Sequence, residues 1–131
     1  MALVIIAAVS DRWTLTVRAG ARTRRVRHDS LDEALAALGV AVEQLAVETQ
    51  RQTVNLGVRR FEPVQQVAAR AELRGPGRLW GGSRGGIDIR GDGSQEAFIG
   101  RARRELVSPE VDESPVAALG RLLAQRRTGR A

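Results

Sequence analysis

Between Arg12 and Leu45 the spacing of apolar residues changes once, from two to about 3.6, and nothing else in the chain restricts the fold as much. Trp13, Leu15 and Val17 alternate with Arg12, Thr14, Thr16 and Arg18, the period of a strand with one buried face and one wet face. Gly20 interrupts, and Arg22 to His28 reads as a further short strand, charged enough to suit a sheet edge. Ser30-Leu31-Asp32-Glu33 then fits a capping box. The serine hydroxyl accepts from the Glu33 amide, and the Glu33 carboxylate is expected to reach back to the Ser30 amide. Behind it, Leu31, Leu35, Leu38, Val42 and Leu45 fall three and four apart, which predicts a helix over 31–52 with one apolar stripe. Strands joined by a short turn to an amphipathic helix bury their apolar faces by stacking helix on sheet.

The rest of the chain extends this plan. Ala2 to Val9 is continuously apolar and rich in Val and Ile, which predicts a strand buried on both faces and makes the opening a three-stranded meander. Residues 54–62 fit a helix extension, a short strand or a connection. Over Pro63 to Arg74 a helix and a strand compete. Val67, Ala69, Ala71 and Leu73 alternate, and Leu73 falls off any helical stripe, so the reading is strand. Gly75 to Gly86 is a glycine-rich loop, and Gly86 to Arg90 is a strand with Ile87 and Ile89 inward. Asp92-Gly93-Ser94 turns the chain and offers an N-cap to a helix over 95–107, carried by Phe98, Ile99, Ala102 and Leu106. Ser114-Pro115 opens a last helix that frays into a basic tail from about residue 126. The expectation is one α+β domain over 1–131, β-β-β-α-β-β-α-α. Its sheet is mainly antiparallel, its helices lie on one face, and the other face is left open with Arg12, Thr14, Thr16 and Arg18, joined by Arg70, Glu72 and Arg74.

Composition removes several chemistries. There is no Cys and no Lys, so thiolate metal sites, cysteine nucleophiles, Schiff-base lysines and the P-loop lysine are all excluded. Tyr is absent and His28 is the only histidine. All 21 basic residues are Arg, against 15 acids. A formal charge of +6 points to an anionic partner, although a GC-rich coding bias supplies arginine with or without one. The longest apolar run, Met1 to Val9, is too short to cross a bilayer and lacks the flanks of a signal peptide. A cytoplasmic protein without membrane attachment is expected.

Few side chains are grouped as catalysis requires. His28-Asp29-Ser30 holds the three residue types of a hydrolase triad, but consecutive residues cannot form the hydrogen-bonded row it needs. Asp88, Asp92 and Glu96 are spaced for a carboxylate metal site, yet each suits an ordinary strand, turn or helix-start role better. Arg90-Gly91-Asp92 spells an adhesion tripeptide with no specificity of its own. No catalytic residue, metal ligand or cofactor is therefore assigned. In the glycine-rich loop, Trp80 flanked by Arg78 and Arg84 has the chemistry of an interface hot spot. Arg22, Arg24, Arg25 and Arg27 form the densest basic run, suited to gripping phosphates.

The opening strands and Ser30-Leu31-Asp32-Glu33-Ala34-Leu35 resemble the β-β-β-α modules of HicB-type antitoxins over less than half of the chain, without the glycine and proline features usual in that family's strands. The reading from the residues is a non-catalytic interaction or regulatory protein. It would bind a protein partner, or itself, through the open sheet face or the Trp80 loop. The alternative is an arginine-mediated nucleic-acid binder, and a carboxylate–metal hydrolase stands third.

Overall fold

A computed structural model of the chain describes residues 12–56, 66–76, 83–100 and 103–128. The order of elements is β1 (Trp13–Ala19), β2 (Arg22–His28), α1 (Leu31–Leu56), β3 (Val67–Arg74), β4 (Arg84–Arg90), β5 (Gln95–Ile99), β6 (Glu105–Val107) and α2 (Pro115–Thr128). The fold is α+β. The six strands form one sheet in the order β2-β1-β3-β4-β5-β6, with every neighbouring pair antiparallel.

The β1–β2 hairpin turns at Gly20, whose φ of +59° is open to glycine at little cost. At the end of β2 the capping serine acts as expected, since the Glu33 amide donates to Ser30 Oγ at 3.1 Å. The return bond is displaced by one residue: the Glu33 carboxylate accepts from the Asp29 amide at 3.1 Å rather than from Ser30. The helix that follows is 26 residues long, four longer at its C-terminal end than the sequence suggests, and so absorbs residues 54–56.

α1 carries the chain across the sheet and returns it as β3 beside β1. Its inward stripe of Leu31, Ala34, Leu38 and Val42 meets Trp13, Leu15, Ala71, Leu73, Ile87 and Ile89 from the strands. α2 adds Ala118, Leu119 and Leu123 over β4, β5 and β6. Its start is set by Ser114 Oγ, which accepts from the Ala117 amide at 3.1 Å, with Pro115 at the first helical position.

The helix expected over 95–107 is replaced by two strands. Asp92 does form the turn, its carboxylate accepting from the Ser94 amide and hydroxyl at 2.9 and 2.6 Å, but Gln95–Ile99 then pairs with β4. The cause is tertiary. β4 begins Arg-Gly-Gly, and Gly86 leaves a gap on the sheet that the Phe98 ring fills from the opposite register position. Gly100, at φ +109°, then breaks the backbone where a helix would have to continue. The strand expected over 63–74 is present from Val67 as β3, with residues 63–65 outside the described residues, and the last helix is present as α2. The expected strand over Ala2 to Val9 lies outside the described residues. Among the described residues no helix is long and apolar enough to cross a membrane.

Candidate functional site

Both helices lie on one side of the sheet, so the side chains of every second strand residue stand on a face that no helix covers. Register identifies them. Thr14 stands between Arg27 and Arg74, and Arg74 stands opposite Arg84. Thr16 stands between Arg25 and Glu72, and Arg18 stands opposite Arg70. This open face divides into two halves with different electrostatics.

Over β3 to β6 the arginines other than Arg74 are matched by acids. Arg70 Nε donates to Asp88 at 2.5 Å. Arg84 donates to Glu72 through Nε at 3.2 Å and Nη2 at 2.7 Å. Arg104 reaches both carboxylates, at 3.8 Å from Glu72 and 3.6 Å from Asp88. Arg90 donates to Glu96 at 2.6 Å, and this bond raises the arginine's pKa further. Phe98 lies beneath the network, 2% exposed, with the Arg104 guanidinium 4.3 Å and that of Arg70 5.6 Å from its ring centre. Charged side chains thus do here what a helix does on the other face, covering an aromatic ring with their planar heads and stems.

Over β1 and β2 the matching stops. A groove of about 540 Å³ runs along these strands, lined by six arginines, Arg12, Arg18, Arg25, Arg27, Arg74 and Arg84, with Thr14, Thr16 and a single carboxylate, Glu72. Glu72 is committed to Arg84 and Arg104. Among the described residues no carboxylate lies within ion-pair reach of Arg12, Arg18, Arg25, Arg27 or Arg74. Five mutually repelling cations are therefore held side by side without a carboxylate partner among the described residues, an arrangement that favours any multivalent anion.

The sequence candidates separate by face. Arg25 and Arg27 line the groove, whereas Arg22 and Arg24 stand opposite Ala19 and Val17, on the helix side of the sheet. Arg84 also joins the groove; Trp80 and Arg78 lie outside the described residues. Arg12, Arg18 and Arg74 belong to the same site, and their alternation was the signal for it. The metal candidates are engaged elsewhere: Asp88 by Arg70 and Arg104, Glu96 by Arg90, and Asp92 by Ser94, whose hydrogen bonds hold the Asp92 pKa below the usual carboxylate value. The Arg90-Gly91-Asp92 turn is tied into the fold, the Gly91 carbonyl accepting from Thr53 Oγ1 at 2.6 Å and its amide donating to the Gln66 carbonyl at 2.9 Å.

Two outcomes follow from these pairings. Glu72 is the one negative charge in the groove and is largely buried, so Glu72→Gln is expected to cost about 1–3 kcal/mol of stability while strengthening binding of a polyanion. Urea denaturation and a binding titration of the same variant measure the two effects. Away from the groove, Arg121 grips Glu113 through two bonds of 3.0 Å and depresses its pKa. A carboxylate depressed in the folded state stabilises fully above its unfolded-state pKa and loses that contribution as pH falls through the folded value. The stability difference between wild type and Glu113→Gln is therefore expected to be present at neutral pH and to vanish below the carboxylate range, as read by thermal melts against pH.

No protein-family model, curated protein or solved structure matches this chain, so neither the resemblance to HicB-type modules nor any other likeness adds to the geometry.

Proposed function

We propose that the protein is a non-catalytic binding module that holds the phosphate backbone of a nucleic acid against the β1–β2 half of its open sheet face. The observation that carries this reading is the grouping of Arg12, Arg18, Arg25, Arg27 and Arg74 around one groove without acidic partners among the described residues. A coding bias toward arginine raises the count over the whole surface, but it does not by itself bring five arginines without acidic partners among the described residues to one groove. The character of the lining favours phosphate over protein. Arginine at an interface hot spot works beside aromatic and apolar anchors, and the groove has none, presenting only guanidinium groups, threonine hydroxyls and Gly75 besides Glu72. Guanidinium forks and hydroxyls are the donors that contact phosphate oxygens.

The same lining argues against self-association through this face, because two copies would bring like charges together. It also argues against base readout by stacking: Phe98, the aromatic ring on this face among the described residues, is roofed by Arg70 and Arg104. Binding is therefore electrostatic and tolerant of sequence.

A labelled duplex titrated by fluorescence anisotropy tests this. Five phosphate contacts give a log–log salt slope of about −4.5, so affinity falls roughly 500-fold between about 50 and 200 mM salt. Absence of binding at low salt overturns the reading. Equal or tighter binding of poly-glutamate would assign the groove to an acidic protein instead.

A further inference from the structure

The outer pole of α1 carries a second surface, independent of the groove and on the other side of the molecule. Val40, Val47 and Val54 are 58%, 59% and 74% exposed and are spaced by seven, so they form one line along the helix, opposite the stripe that enters the core. Valine is a poor choice for a solvated helix position, because branching at Cβ costs rotamer freedom and contributes nothing without burial. Around the middle valine lies a shallow, open depression bounded by Glu43, Gln44, Val47, Glu48 and Arg51. Residues 44, 47, 48 and 51 have the diamond spacing of the hole that receives a knob from a facing helix.

We infer that α1 pairs with α1 of a second copy of this chain, antiparallel, about a two-fold axis at Val47. The sequence complements itself under that operation and under no parallel one. Glu43 and Arg51 lie four residues on either side of Val47, and Val40 and Val54 lie seven on either side. The antiparallel pair brings each Glu43 to the partner's Arg51 and each Val40 to the partner's Val54. A parallel pair would set Glu43 against Glu43 and Arg51 against Arg51. Such an interface is isologous and closes at two subunits. Among the described residues Arg51 makes a long, exposed contact to Glu48 at 3.8 Å within its own helix, which leaves it able to turn across the axis. Because α1 lies on the face of the sheet opposite the arginine groove, the dimer leaves both grooves open and facing away from each other.

Sedimentation equilibrium of the full chain without nucleic acid tests the inference separately from the binding reading. Twice the chain mass is expected at high micromolar concentration, with dissociation on dilution, since the contact from Val40 to Val54 is only about 21 Å long. Val47→Glu is expected to raise the dissociation constant at least ~100-fold by placing an unpaired carboxylate on the axis, with far-UV circular dichroism unchanged. Glu43→Arg alone and Arg51→Glu alone should each weaken the dimer, and the two together should restore it. A monomer at all concentrations, a dimer indifferent to Val47→Glu, or a double variant no better than either single one overturns the inference.

Discussion

Replacing Arg25 and Arg27 together by Gln is expected to weaken binding of a duplex about 100-fold at low salt, at roughly tenfold for each charged hydrogen bond to phosphate that is removed. The salt slope should become shallower by about 2, since each phosphate no longer neutralised removes about 0.9 from it. The decisive comparison is Arg22→Gln with Arg24→Gln. That variant removes the same charge from the same strand, but its residues stand on the helix side, opposite Ala19 and Val17. It is expected to change affinity far less than the first pair. If net charge alone governed binding, the two double variants would behave alike. All four arginines are exposed on an edge strand, so neither variant should unfold the protein, and circular dichroism of both provides the check.

The second large effect concerns the core behind β1, on the sheet face opposite the groove. Trp13 opens β1 and is fully buried, with its ring so close to Gly75 that a Cβ there would lie 2.8–3.0 Å from it. Trp13→Ala is expected to cost about 3–5 kcal/mol, from reduced apolar burial and from a cavity that the glycine cannot fill. The midpoint of urea denaturation measures it. Gly75→Ala should also destabilise, by about 1–3 kcal/mol, because the ring has no room to retreat. Thr14 and Arg12 flank Trp13 in the chain and line the groove. Anion binding by Trp13→Ala should therefore be lost together with the fold at a lower urea concentration than in the wild type, whereas replacing Arg25 and Arg27 weakens it in an intact fold.

Much of this architecture was legible in local pattern because each segment faces one environment. The alternation through Trp13, Leu15 and Val17 sorted the wet from the buried side of β1. Leu31, Leu38 and Val42 marked α1, and the alternation ending at Leu73 identified β3 against a competing helical pattern. The miss over 95–107 has the opposite cause. Ala97 and Ile99 are buried under α2, while Phe98 is buried under arginines on the other face, so three successive apolar residues carry no strand period. The site was legible in part for the same reason. Arg12, Thr14, Thr16 and Arg18 could be placed on one face from alternation alone, but Arg22, Arg24, Arg25 and Arg27 appeared as one cluster. Strand alternation puts Arg22 and Arg24 on one face and Arg25 and Arg27 on the other, and pairing with β1 shows which pair lines the groove. Nor does the sequence tell which arginines find acids, because Arg70–Asp88 and Arg84–Glu72 are contacts between strands.

The arginine side chains can report directly on whether they hold phosphate. Nuclear magnetic resonance of the guanidinium Nε–H groups, followed while a short duplex is added at low salt, distinguishes the two faces of β2 in a single titration. Large shifts and slowed hydrogen exchange are expected for Arg12, Arg18, Arg25, Arg27 and Arg74, with Arg22, Arg24 and Arg51 nearly unmoved. Equal shifts on both faces, or changes that bypass the groove, would contradict the assignment of phosphate to these five side chains.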